Sequence, residues 1–150
     1  MRLVVDQQEA VTEWVASRIP QVGPQGFGKA TSIGVVALDG RPMAGAVYHD
    51  YHPEFRTIMI SFAADNPRWA THNILALLLG YPFRQLSIHK LRAAVPHSNA
   101  RSLKLVSGIG FTSEGTLKDE FGAGTHAVMW RLFERDYARI YETPKARAAA

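Results

Sequence analysis

The order of elements in this sequence predicts a single-domain α/β fold, with a mixed, mostly antiparallel β-sheet flanked by helices. Three observations carry that expectation. The chain has 150 residues, enough for one domain around one sizeable core. An Asp39-Gly40 hairpin signal separates two β-rich runs, Thr31 to Leu38 and Met43 to Tyr51. Beyond them, apolar residues switch repeatedly between helical and strand spacing, so helices cross over between strands of one sheet.

The elements follow in order. Gln7 to Ile19 carries Ala10, Val11, Trp14, Val15 and Ile19 at helical spacing, and Pro20 stops it. Pro20 to Lys29 is rich in Gly and Pro and reads as a loop. The two hairpin strands and Phe55 to Ala63 form an antiparallel meander. Pro67 to Phe83 reads as a long apolar helix that Pro82 kinks or ends. Lys90 to Val95 is a strand and Ala100 to Ser107 a helix. Phe111 to Lys118 and Thr125 to Phe133 are a final antiparallel pair, and a terminal helix follows. The domain spans 1–142, and a frayed tail is expected over 143–150.

Composition narrows the function. The absence of cysteine excludes disulfides, thiolate metal sites and cysteine nucleophiles. A net charge of +4 suits a polyanionic ligand and is too mild to argue for nucleic acid. Arg131, Arg135 and Arg139 alternate with Trp130, Phe133, Tyr137 and Tyr141, but Glu134, Asp136 and Glu142 balance them. Met1 to Asp6 has no apolar core of signal-peptide length, and no apolar run is long enough for a bilayer. A cytoplasmic protein without a membrane partner is the expectation.

One turn reads as an anion site. Asn66 is a suitable helix N-cap and Pro67 a suitable first helical residue. Arg68 and His72 would then share a face in the first turn, where cations are unfavourable by about 0.3–1 kcal/mol each unless an anion sits there. A phosphate would resolve that conflict. So would an Arg68 that points to solvent or pairs with Asp65.

A second stretch is more specific. Val95-Pro96-His97-Ser98-Asn99-Ala100-Arg101-Ser102 ends a strand in a polar turn and starts a helix, and Gly110-Phe111-Thr112-Ser113-Glu114-Gly115 opens the next strand. N-x-x-S followed by G-F-x-x-E-G resembles the C-terminal half of a GNAT-superfamily N-acetyltransferase, closest to the branch that acetylates protein N-termini. The resemblance covers roughly Ser32 to Arg135. It implies the acyl-coenzyme A N-acyltransferase fold, acetyl-coenzyme A as cosubstrate, no metal, and direct attack by a primary amine on the thioester.

The resemblance also implies site residues. The pyrophosphate loop maps to Asn66-Pro67-Arg68-Trp69-Ala70-Thr71, with His72 following. Asn66, Trp69 and Thr71 stand where the family has Arg or Gln, Gly, and Gly or Ala, and Pro67 removes one donor. Ser61, Phe62, Ala63 and Ala64 match the strand end that meets pantetheine and the carbonyl. Asn99 and Ser102 match the residues that contact the cofactor, although both also stand where the next helix needs caps. Val106 takes the position of the family's thiolate-protonating Tyr.

Candidate catalytic groups are Ser102, Glu114 and His49, the last within a polar cluster of His49, Asp50, Tyr51 and His52 where an imidazole can accept a proton. An exposed turn is the competing reading of that cluster. The acceptor is a protein N-terminus, a lysine or a small amine, and a homodimer is compatible with the pattern. The alternative function is a catalytically silent module that binds a protein partner, with or without coenzyme A.

Overall fold

The computed structural model describes residues 1–143 and shows one seven-stranded sheet in the order β1-β2-β3-β4-β5-β7-β6. The strands are β1 (Arg2–Val4), β2 (Ala30–Val36), β3 (Pro42–His52), β4 (Thr57–Ala64), β5 (Lys90–Pro96), β6 (Thr112–Leu117) and β7 (Ala127–Phe133). The helices are α1 (Gln8–Ala16), α2 (His72–Gln85), α3 (Ala100–Ile109) and α4 (Glu134–Tyr137), the last running on into a wider turn over Ala138–Glu142. Every strand pair is antiparallel except β4 with β5.

The expected order holds from α1 onward, and two details differ. Arg2 to Val4 forms a seventh strand that pairs with β2, too short to show strand periodicity in sequence. Helix α2 starts at His72, not at Pro67, because Asn66 to Trp69 closes a separate short 3₁₀ turn. The frayed-tail expectation falls almost wholly outside the described residues. Thr143, its first residue, donates to the Ala138 carbonyl through its backbone N–H (3.0 Å) and its hydroxyl (3.2 Å).

Alternation along the strands sorts the two faces. Ala46 and Tyr48 of β3, Ile58 and Ile60 of β4, and Leu91, Ala93 and Val95 of β5 point to one face. There they share a core with Leu75, Leu78, Leu79 and Phe83 of α2 and Val106 and Ile109 of α3. The opposite face is covered by α1 over β2 and β3, where Val15 and Val11 close onto Gly45 and Gly34. Over β5, β7 and β6 that second face carries no helix among the described residues.

Pro82 lies inside α2 and does not end it, so of the two expected effects, a kink or an end, the end is corrected. A proline at 82 leaves the Leu78 carbonyl without its usual i+4 donor. The fully buried Tyr48 hydroxyl supplies one instead, donating to that oxygen at 2.6 Å. Burial also pushes the Tyr48 phenol well above its ordinary pKa, so it remains a donor. Tyr48→Phe is expected to cost about 1–3 kcal/mol, the penalty of an orphaned buried acceptor. In a Pro82→Ala background, where residue 82 regains its N–H, the same substitution should cost measurably less. Urea unfolding of the four proteins gives the coupling, and equal costs in both backgrounds would disprove the exchange of donors.

Candidate active site

Strands β4 and β5 pair only through Thr57–Met59 and Lys90–Arg92. Farther along, Ile60–Ala64 and Ala93–Pro96 part, each held on its outer side by β3 or β7. Their inward backbone groups therefore have no strand partner, and unpaired backbone groups seek a ligand or water. A cleft of about 940 Å³ opens there. Its walls include Ser61, Phe62, Ala63 and Ala64 of β4, Ala94 and Pro96 of β5, Asn99 just before α3, and Ser102 and Val106 of α3. Ala63 and Ala64 leave room for a narrow chain beside the backbone.

At the far end of β4, Asn66 Oδ1 accepts the Arg68 N–H at 2.9 Å, and Thr71 Oγ1 accepts the Ile74 N–H at 3.2 Å. The cap of α2 is thus Thr71, and Arg68 lies before the helix and not in its first turn, contrary to the expectation. Asp65 pairs with Arg18, not Arg68, through two contacts of 2.9 Å that hold the Asp65 carboxyl below its usual range. Trp69 is 2% exposed and its ring turns into the core against Phe62, centroids 5.9 Å apart. Trp69 and Pro67 still border the cleft, whereas Arg68, Ala70, Thr71 and His72 are not in its walls. The His72 ring lies 5.1 Å from that of Tyr141, whose phenol burial pushes up to about 12.

The cleft wall on the α1 side holds a hydrogen-bonded series. His49 Nδ1 lies 2.5 Å from Asp50 Oδ2, and His49 Nε2 lies 2.9 Å from Ser61 Oγ. An ionised carboxylate only accepts, so the arrangement places the imidazole proton on Nδ1 and leaves Nε2 to accept from the Ser61 hydroxyl. The Phe27 ring covers the imidazole at 4.9 Å, and the His49 side chain is 11% exposed. Neighbours in a regular strand point to opposite faces. His49 and Asp50 meet because the register of β3 against β4 slips after His49, and Asp50 adopts φ 52°. Asp is among the few residues that tolerate that left-handed backbone.

The other candidates are placed differently. Asn99 Oδ1 accepts the Ser102 N–H at 3.1 Å, so Asn99 caps α3 while facing the cleft. The Ser102 hydroxyl makes no hydrogen bond among the described residues. Glu114 is on edge strand β6, outside the cleft walls, ion-paired to Lys90 at 2.9 Å. His52 is directed toward Glu54 at 3.3 Å. Among the described residues no group of three His, Asp or Glu side chains is arranged to hold a metal. No helix among them is long and apolar enough to cross a membrane.

No protein-family model matches the sequence, and no curated protein does. Solved structures match. A variant of spermidine N-acetyltransferase from Vibrio cholerae aligns with a TM-score of 0.63 and 17% identity, over 73% of this chain and 69% of that one. A dodecameric structure of the spermidine N-acetyltransferase from the same organism gives 0.65 and 18%, over 73% and 68%. A ribosomal-protein alanine acetyltransferase from Vibrio fischeri gives 0.62 and 18%, over 72% and 63%. The chain has the GNAT fold. The likeness read from Asn99, Ser102 and Gly110 to Gly115 is therefore a likeness of fold, and β4 and β5 are the parting parallel pair of this GNAT sheet. Sequence reading picked out His49 and Ser61 separately. It missed the link between them, for which the local His49-Asp50 pair was the only available signal.

Proposed function

We propose that this chain is an N-acyltransferase that moves an acetyl group from acetyl-coenzyme A to a primary amine. The observation that carries the proposal is the Asp50–His49–Ser61 series on the wall of a cleft between two parting strands. Unpaired β4 backbone, two alanines and the free Ser102 hydroxyl fit a narrow pantetheine arm. The His72 and Asn73 N–H groups in the first turn of α2 make no hydrogen bond among the described residues, and we assign them as the anion donors. Trp69 turns into the core, its ring on Phe62, and in this reading it does not shield that backbone.

When bound, acetyl-coenzyme A supplies an acyl group already activated as a thioester. The chain's own residues do the rest. Parted strands hold thioester and amine together. Ser61 takes a proton from the amine as its own passes to His49 Nε2, and Asp50 holds the resulting imidazolium. A C–N bond forms, the C–S bond breaks, and the departing thiolate takes a proton from solvent, since Val106 stands where a tyrosine would donate one. A protein N-terminus is one acceptor consistent with the ribosomal-protein acetyltransferase of the same fold. We place the enzyme in the cytoplasm on the same reading.

Calorimetric titration with acetyl-coenzyme A, followed by thiol release with a panel of amines, tests this. Micromolar binding with amine-dependent thiol release is the expected result. Binding without release from any amine would favour a silent module that recognises a partner. No binding would overturn the cofactor site.

A further inference from the structure

Arg92 of β5 and Arg131 of β7 are register partners, so their side chains leave the sheet side by side on one face. It is the face that, among the described residues, no helix covers beyond β4. Like charges directly opposite one another destabilise a sheet. Neither guanidinium has a hydrogen bond or ion pair among the described residues. Arg131 has only the Phe133 ring, 5.2 Å away. Lys90, two residues before Arg92 on the same face, already engages Glu114. Arg92 forms part of the cleft wall with Ala94 and Met59, and Arg131, its register partner, stands outside that wall at its edge.

The geometry points to an acceptor that carries a carboxylate near its amine, bound by Arg92 and Arg131. This rests on the acyltransferase reading and names the substrate class for the same cleft. The cofactor's phosphates do not account for the pair. Arg92 is level with Met59 at the closed base of the strand pair. The Asn66 to Thr71 loop begins beyond Ala64, about 17 Å farther along β4. Ser61 is two residues along from Met59 on the same face, about 7 Å, so an amine beside Ser61 with its carboxylate a few bonds away reaches both ends. Arginine pairs suit carboxylates because their planar forks accept bidentate geometry. A polycationic amine carries charge of the wrong sign.

The test uses Ala-Glu-amide, Ala-Gln-amide and Ala-Lys-amide, which share one α-amine, together with 4-aminobutanoate as a small acceptor. Equilibrium binding to the protein saturated with coenzyme A is measured first. Ala-Glu-amide is expected to bind about tenfold tighter than Ala-Gln-amide, as for a charge-assisted pair, and Ala-Lys-amide weakest. In an Arg92→Gln/Arg131→Gln variant the ratio of Glu to Gln affinities should fall toward one. Binding of 4-aminobutanoate with the peptides rejected assigns a small acceptor, and the converse a peptide. Equal binding of the three peptides, or a ratio unchanged in the variant, overturns the anion site. Acidic preference without thiol release keeps the anion site and overturns the acyltransferase reading, so the two fail separately.

Discussion

Replacing His49 by alanine is expected to lower kcat by about 10²- to 10⁴-fold, the range for a positioned general base, while acetyl-coenzyme A still binds. The attacking amine must lose a proton, and His49 Nε2 is the acceptor that the cleft wall presents through Ser61. Asp50→Asn should also slow turnover, by less. An amide at that position can accept from a protonated Nδ1 or donate to an unprotonated one, so it no longer selects the Nδ1-protonated form. The Asp50 side chain is 61% exposed, so solvent screens much of its charge and its contribution is mainly orientation. Ser61→Ala separates two routes. A large loss means that the proton passes through the hydroxyl, and a small one means that the amine meets Nε2 directly. Steady-state rates at saturating acetyl-coenzyme A decide the question, with circular dichroism confirming that the Phe27–His49 contact was not needed for folding. Full activity in His49→Ala would remove the imidazole from the mechanism.

The same residues show what a sequence can disclose. Asp39-Gly40 announced its hairpin because the loop is local: the Gly40 N–H donates to the Ala37 carbonyl, three residues back, and Gly40 takes φ 88°. The helix after Asn99 was legible for the same reason, since its cap lies within three residues of the N–H it accepts. The parting of β4 from β5 was not legible from residue pattern. Ile60 and Ala93 look like ordinary strand residues, and their separation depends on how α2 and α3 pack beneath them. The pairing of Pro82 with Tyr48 joins residues 34 positions apart, and the polar cluster from His49 to His52 did not disclose which of its members would meet. A backbone slip of one position brings Asp50 to His49, and no residue type announces it as reliably as glycine announces a turn. The site was thus legible in its parts and not in its connections.

Trp69→Ala is expected to destabilise the protein by about 3–5 kcal/mol, the cost of truncating a buried aromatic side chain. For a domain of this size that lowers Tm by about 6–20 °C. Read from sequence, Trp69 stands where the GNAT pattern has a small residue, and a bulky side chain there would block backbone from phosphate. The fold gives it another role. Its indole is 2% exposed and packs on Phe62, at the point where β4 hands over to α2. The short Pro67–Trp69 turn makes this possible by directing residue 69 into the core before α2 begins at His72. If Trp69 is a core anchor, Trp69→Ala loses stability and gains no cofactor affinity, because a ring packed on Phe62 in the core is not what shields the backbone after it. Trp69→Phe should recover part of the lost stability, since a smaller ring still fills part of the space above Phe62. If instead the indole shields the site, Trp69→Ala keeps its Tm and binds acetyl-coenzyme A more tightly. Thermal unfolding and calorimetry on the two variants separate these outcomes. The anchor account requires Tm to fall, and an unchanged Tm with tighter binding would refute it.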